Sequence, residues 1–253
     1  MRVTIVAEIG SNWEGNLTKA KKLIRLTKNA GADAVKFQIW RAEDLYSPNH
    51  PQWKNIKKSE LNFKSVKTLK EYADEIGIEF FCSAFFPEAV EFLESIDVKR
   101  YKVASRTCIF RDPHSIETLE SKARTKKPII ISMGMGGNKK KIRKIFSSNK
   151  TIFCYCISDY PLDFKKIDWI EAKKFEGFSD HTIGIAAPLI FAIMKKVENA
   201  KHILIEKHVK IKESKGPDAA TSIDTDELSQ LVNHIKIITK LNIGNRKHKE
   251  NAS

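Results

Sequence analysis

The sequence predicts a single (β/α)8 barrel, a TIM barrel. Three observations point there. Strand-like and helix-like segments alternate eight times across 253 residues, which is the arithmetic of that fold. No Pro/Gly/Ser-rich or charged linker divides the chain. The first strand runs into Glu8-Ile9-Gly10-Ser11-Asn12, which is not the glycine-rich phosphate turn expected of a dinucleotide-binding open sheet.

The elements follow in order. Val3–Glu8 is a β-branched run and reads as the first strand. Leu17–Ala30 repeats its apolar residues at helical spacing, and Gly31 stops it. Ala34–Gln38 is the second strand. Ser47–Trp53 reads as a loop, because Pro48 and Pro51 disfavour a helix. Glu60–Ile76 is expected to be helical, with Gly77 as its left-handed stop, and Glu79–Ser83 is the third strand. Pro87–Ile96 begins with proline, which suits a first helical turn.

The second half keeps the rhythm. Tyr101–Ala104 is a strand and His114–Lys122 a helix. Pro128–Ser132 is a strand with a glycine-rich exit, Met133–Gly137, and Lys139–Phe146 a helix. Thr151–Cys156 is a strand and Phe164–Lys174 a helix. Phe178–Asp180 and Ile203–His208 are the last strands, with Ala186–Val197 between them. Asp226–Leu241 is the last helix, with Thr225 as its expected N-cap. The barrel domain is expected over residues 1–243, followed by a short frayed tail over 244–253.

Composition narrows the function. The apolar fraction of 42% supports a sizeable core, and no run of about 18 apolar residues suggests a membrane span. The N-terminus enters a strand directly, unlike a secretory signal. Cys82, Cys108, Cys154 and Cys156 have no framework spacing, so reduced thiols in a cytoplasmic protein are expected. The net charge of +14 comes from dispersed lysines without aromatic interleaving. That argues against a nucleic-acid partner and for encounter with a small anion.

In a barrel of this kind, chemistry gathers at the carboxyl ends of the strands. Polar residues stand at each: Glu8, Lys36, Ser83, Lys102 with Ser105, Ser132, Ser158 with Tyr160, Ser179 with His181, and Glu206 with His208. Side-chain alternation puts Ser179 and His181 on one face of their strand, and Glu206 and His208 on one face of theirs. If those strands are neighbours, the two imidazoles can meet and share a divalent ion with open positions. Lys36 and Lys102 lie within apolar strands, where an ammonium needs an anion. Two sources are open: pairing with Glu8 or Glu206, or a phosphate or carboxylate ligand helped by hydroxyls and glycine amides. Gly216-Pro217-Asp218 is either a plain turn or a further part of the site.

Eight segments, in order, carry a resemblance to a known family: A-E-I-G-S-N at Ala7–Asn12, K-F-Q at Lys36–Gln38, Y-K-V-A-S at Tyr101–Ser105, I-S-M-G-M at Ile131–Met135, D-Y-P at Asp159–Pro161, G-F-S-D-H-T-I-G at Gly177–Gly184, E-K-H at Glu206–His208 and G-P-D at Gly216–Asp218. Over nearly its whole length the chain resembles the sialic acid (N-acetylneuraminate) synthases. The resemblance implies a TIM barrel that condenses phosphoenolpyruvate with an N-acyl hexosamine, consuming water and releasing phosphate. It implies that His181 and His208 hold Mn2+ or Mg2+. Lys36, Lys102, Ser105, Tyr160 and Ser179 would hold phosphoenolpyruvate, with Ser83, Ser132 and Ser158 as further candidates. Glu8 would bind the sugar or place the water, and Glu206 and Asp218 would contact sugar hydroxyls.

The chain departs from the family pattern at Trp13, at Cys82 and Ala84, at Arg106 and Thr107, at Ser158 and at Ala219. These changes are expected to fall on the sugar side. The family's C-terminal antifreeze-like domain, with its arginine for a partner subunit, has no counterpart in the sequence. Either a separate cap protein is expected, or Arg106 or another barrel cation acting in its place, or activity is lost; a homodimer is also among the expected partners. A barrel that binds phosphoenolpyruvate or a sugar within a partner complex, without turnover, is the rival reading.

Overall fold

The computed structural model describes residues 1–242, so the expected tail lies outside the described residues. The strands are β1 (Arg2–Glu8), β2 (Ala34–Ile39), β3 (Glu79–Ala84), β4 (Tyr101–Val103), β5 (Ile129–Ser132), β6 (Thr151–Tyr155), β7 (Gly177–Asp180) and β8 (His202–Lys210), with a short β9 (Ile223–Asp224). All pairings are parallel from β1 to β8, and β1 also pairs with β8, which closes the barrel. β9 adds two residues to the end of β8, Val209↔Ile223 and Lys210↔Asp224.

The helices are α1 (Leu17–Ala30), α2 (Ala42–Leu45), α3 (Trp53–Lys58), α4 (Phe63–Glu75), α5 (Pro87–Ser95), α6 (Ser115–Arg124), α7 (Lys139–Ile145), α8 (Trp169–Ala172), α9 (Ala186–Val197) and α10 (Thr225–Lys240). Most match the predicted spans within a few residues. Gly77 is left-handed (φ 71°), as expected after α4.

Four differences have local causes. The loop expected over Ser47–Trp53 ends in α3, and α2 precedes it. This excursion builds a satellite core of Trp40, Ala42, Ile56 and Phe85. The helix expected from Glu60 starts instead at Phe63, because the Asn62 side chain accepts from the Ser65 amide. The helix expected over Phe164–Lys174 is broken. Asp163 and Asp168 each accept an amide bond from the chain ahead, which starts one 3-10 turn at Phe164–Lys166 and then α8. Finally, Asp224 rather than Thr225 caps α10, in a capping box with Glu227.

Strand alternation sorts the side chains into layers. Val6, Ala34, Phe81, Ile130, Cys154 and Leu204 form an apolar plug inside the barrel. The opposite parity packs outward under the helices, in a core that includes Phe37, Phe80, Tyr101, Phe153 and Phe178. Two residues beyond the plug, the same inward parity delivers Glu8, Lys36, Ser83, Ser132 and Glu206 to the mouth, and β4, which adds nothing to the plug, brings Lys102. No helix among the described residues is long and apolar enough to cross a membrane.

Candidate active site

Four charged side chains make the floor of the pocket. Lys36 is ion-paired with Glu8, lies 3.9 Å from Glu206 and donates to Ser83 Oγ at 3.3 Å. Lys102 donates to Glu206 Oε1 at 2.8 Å, and Ser179 Oγ donates to the same oxygen at 2.9 Å. All four are nearly sealed from solvent, at 1–4% exposure. The strand register dictates the cluster: Glu8 faces Lys36, and Ser179 faces Glu206. So the internal pairing that the sequence left open does occur, and it occurs inside the pocket.

Burial and the neighbouring charges split the two lysines. Burial pushes Lys36 down to about 8; the Glu206 carboxylate offsets this only in part, and Lys102 adds a smaller repulsion. Lys102 is equally buried, yet the Glu206 carboxylate raises it above the ordinary lysine value. Burial alone would raise Glu206, but Lys102 and Lys36 together bring it down to about 2. Among the described residues, Glu206 Oε2, Glu8 Oε1 and Ser132 Oγ are buried with no hydrogen-bond partner. Buried polar atoms seldom stay unpaired, so this floor is built for contacts beyond its own.

One step above, His181 and His208 meet with ring centroids 5.5 Å apart. Their strands are neighbours, as the histidine reading required. His181 Nδ1 bonds the carbonyl of Ile157 at 2.7 Å. A carbonyl only accepts, so the proton sits on Nδ1 and the Nε2 lone pair is free. His208 is driven down to about 3, first by burial and further by His181 and Lys36, and is neutral at physiological pH. Its Nδ1 is buried without a partner. Burial opposes the proton on His181, but the neighbouring Cys156 and the Ile157 carbonyl outweigh it and raise that ring above the ordinary histidine value. With its second proton shed, His181 pairs with His208 in an arrangement that fits a divalent ion. Among the described residues no group of three or more His, Cys, Asp or Glu is placed to hold a metal. An ion here would rest on the two imidazoles and take its other ligands from water or substrate oxygens. Imidazole suits Mn2+ better than Mg2+, which favours all-oxygen shells.

The walls are polar. Tyr160, half exposed at 51%, lays its ring 4.2 Å from that of His181. Ser105 Oγ accepts from the Gly134 amide at 2.9 Å, so this amide of the glycine-rich exit is already used. A β-carbon at Gly134 would sit 2.8 Å from Cys156 Sγ and 2.9 Å from Ser158 Oγ, which explains the glycine. Asp218, a predicted site residue, is not among those that line the pocket. Its Oδ2 accepts from both the amide and hydroxyl of Ser11, at 2.8 and 2.7 Å. Gly216-Pro217-Asp218 is therefore a turn latched onto the loop after β1. Gly10, at φ 51°, has no room for a side chain, because its β-carbon would lie 2.5 Å from Asp218 Oδ2.

Thus Glu8, Lys36, Lys102, Glu206, Ser83, Ser105, Ser132, Ser179, Tyr160, His181 and His208 share one pocket. Ser158 does not join them: it packs against Gly134 behind the wall, since β6 ends at Tyr155 and strand alternation no longer aims it. Gln38 and Cys156 line the pocket without having been assigned a role. The period-two rule placed Gln38 with Lys36, and the same rule, run inward from Cys154, points Cys156 to the mouth.

Several departures from the family pattern do not line the pocket. Trp13 is buried in the outer core, its indole donating to the Ser59 carbonyl. Cys82 faces the outer core and Thr107 is buried. Arg106 grips Asp112 through two bonds of 2.7 and 2.8 Å and also donates to the Leu45 carbonyl. It is committed to pinning the α2 loop, not free to replace a cap arginine.

A family model described as the NeuB family matches residues 23–247. The chain belongs to the NeuB family. Among its relatives, an uncharacterized protein of Methanocaldococcus jannaschii is 32% identical over 94% of this chain and 71% of its own length. The N,N'-diacetyllegionaminic acid synthase of Legionella pneumophila is 31% identical over 99% of this chain and 76% of its own. The crystal structure of N-acetylneuraminic acid synthetase from Leptospira borgpetersenii, in complex with citrate, superposes with a TM-score of 0.85. It is 28% identical and covers 100% of this chain and 88% of the other. The NeuB-family barrel thus agrees with the one the sequence predicted.

Proposed function

We propose that this NeuB-family protein is a nonulosonic acid synthase. It condenses phosphoenolpyruvate with the open-chain aldehyde of an N-acyl hexosamine, such as N-acetylmannosamine or a related amino sugar, and releases phosphate. The observation that carries the reading is the convergence of two imidazoles over a Lys–Glu quartet in a single pocket.

Lys36 and Lys102 hold the phosphate and carboxylate of phosphoenolpyruvate, as a small polyanion requires. Ser83, Ser105, Ser132 and Ser179 supply hydroxyls around it. Glu206 sits between the two ammonium groups as their shared counter-ion and keeps both charged while the pocket is open. Bound to His181 and His208, Mn2+ would polarise the sugar aldehyde as a Lewis acid and add positive charge to an otherwise balanced quartet. Tyr160 shields that corner from bulk water. C3 of phosphoenolpyruvate adds to the aldehyde carbon while Glu8, with one oxygen uncommitted, orients the water that adds to C2. The water's proton ends on the former aldehyde oxygen, the C2–O bond to phosphate then breaks to leave a C2 ketone, and inorganic phosphate leaves. Asp218, fixed by Ser11, receives sugar hydroxyls.

Phosphate release from phosphoenolpyruvate tests this, with manganese and with N-acyl mannosamines or 6-deoxy diamino sugars as acceptors. It is run with the chain alone and with an antifreeze-like cap protein added. Release that needs both metal and acceptor is expected. Binding without turnover in every arm would favour the rival, non-catalytic reading.

The pH profile follows from Lys36. Only its ammonium form grips the anion, and that form is lost as pH rises through about 8. The kcat/KM for phosphoenolpyruvate should therefore fall on an alkaline limb centred near 8, since this ratio reports the free enzyme. A profile that stays flat up to the ordinary lysine value of 10.5 would contradict the assignment.

A further inference from the structure

β7 and β8 meet in a seam that is cross-linked from both sides. At one register position Ser179 and Glu206 face inward and bond to each other. At the next, Asp180 and Lys207 face outward, and Lys207 Nζ donates to Asp180 Oδ2 at 2.6 Å. Both outward side chains are completely buried. The two histidines come one residue later on each strand.

At that point the ladder has ended. β7 stops at Asp180 while β8 continues to Lys210, so backbone pairing with β8 no longer holds His181 opposite His208. The His181 carbonyl accepts instead from the Leu162 amide at 2.9 Å and from the Thr221 hydroxyl, neither of them on β8; the ties to β8 are made by side chains. Lys207 Nζ also donates to the Thr182 carbonyl. Asp180 accepts from the Thr182 amide at 2.9 Å and the Thr182 hydroxyl at 3.1 Å. The chain on either side of His181 is thus tied back to the residue just before His208.

A buried ion pair is seldom retained for stability alone, because desolvation cancels most of the attraction, and apolar replacements are often neutral or stabilising. We propose that the Asp180–Lys207 pair is a positioning device for the cation site: it sets the separation of the His181 and His208 imidazoles and thereby the affinity for a divalent ion. The inference rests on the two-histidine cation site of the proposed function. Asp180 and Lys207 touch neither ion nor substrate and act only through the backbone that carries the imidazoles.

The test is Mn2+ alone, titrated by calorimetry and electron paramagnetic resonance into the metal-free full chain, beside thermal melts. Asp180→Leu/Lys207→Met removes both charges together, so no buried charge is stranded; it should still fold, with a modestly lower Tm because the buried Thr182 amide, hydroxyl and carbonyl lose partners. Its Mn2+ dissociation constant should rise by about 10- to 100-fold, as for lost outer-shell partners in other metal sites. A merely structural pair would move Tm and leave the dissociation constant alone. Thr182→Val, which keeps the ion pair and deletes one bond to Asp180, should weaken Mn2+ by a smaller factor without loss of fold. Either variant, folded and binding Mn2+ as the wild type does, overturns the inference while leaving the cation site intact. Wild-type protein that takes up no Mn2+, or takes it up equally well as His208→Ala, overturns the cation site and the inference with it.

Discussion

His208→Ala should abolish Mn2+ binding and the condensation together. Among the described residues only two imidazoles face the cation position. Losing an outer-shell partner typically costs 10- to 100-fold, so losing one of two direct protein ligands should cost more than about 100-fold in metal affinity. Stability should change little or rise. His208 is a buried polar ring with an unpartnered Nδ1, neutral already, and its removal breaks no hydrogen bond to that atom. Isothermal titration with Mn2+, thermal melts and the phosphate-release assay read the three quantities separately. A variant that keeps wild-type metal affinity would remove His208 from the site.

The second large effect is expected at Lys102. Lys102→Met leaves Glu206 with Ser179 and a more distant Lys36, and breaking a buried pair in this way costs about 3–5 kcal/mol. At about 2–4 °C per kcal/mol for a chain of this size, Tm should drop by roughly 6–20 °C. Phosphoenolpyruvate affinity should fall by at least about 10-fold, the worth of one charge-assisted bond. Adding Glu206→Gln should recover most of the stability, since the stranded charge is gone, while affinity stays low. That split separates a ligand-binding lysine from a purely structural one. Recovery of binding along with stability would contradict the role given to Lys102.

The same pair predicts acid behaviour. Glu206 is held down at about 2 against an ordinary 4.5, so its contribution to stability is complete above about 4.5 and is lost as pH falls toward 2. Lys102→Met removes part of what depresses it, so in that variant less of this stability is present to be lost.

Much of the site was legible because strand alternation is a rigid rule. Lys36, Lys102, Ser179 and Glu206 lie within ladders, and period two aimed them all inward. The encounter of His181 with His208 needed only that their strands be neighbours. The rule fails where the ladder stops. Ser158 lies past the end of β6, and its direction is set by packing on Gly134 instead. Which anion each lysine meets was not legible either, because the Glu8–Lys36 pairing depends on the register of β1 against β2.

Other residues were hidden because helical pattern does not distinguish a buried lysine from an exposed one. Lys122, on α6, is fully buried with no carboxylate partner among the described residues. It donates to the carbonyls of Ala84 and Lys102 at 2.7 and 2.9 Å, and burial brings it down to about 7. It bridges the ends of β3 and β4, a seam whose ladder holds the single pair Ser83↔Lys102. Asp163 and Asp168 split the expected sixth helix because short polar side chains compete for backbone amides, and an apolar pattern does not register that competition.

Anomalous diffraction from crystals grown with Mn2+ and phosphoenolpyruvate tests most directly whether cation and anion share this mouth. The predicted map has one strong manganese peak between the rings of His181 and His208, with phosphoenolpyruvate density against Lys36 and Lys102. A manganese peak away from both imidazoles, or phosphoenolpyruvate bound out of reach of both lysines, would contradict the account.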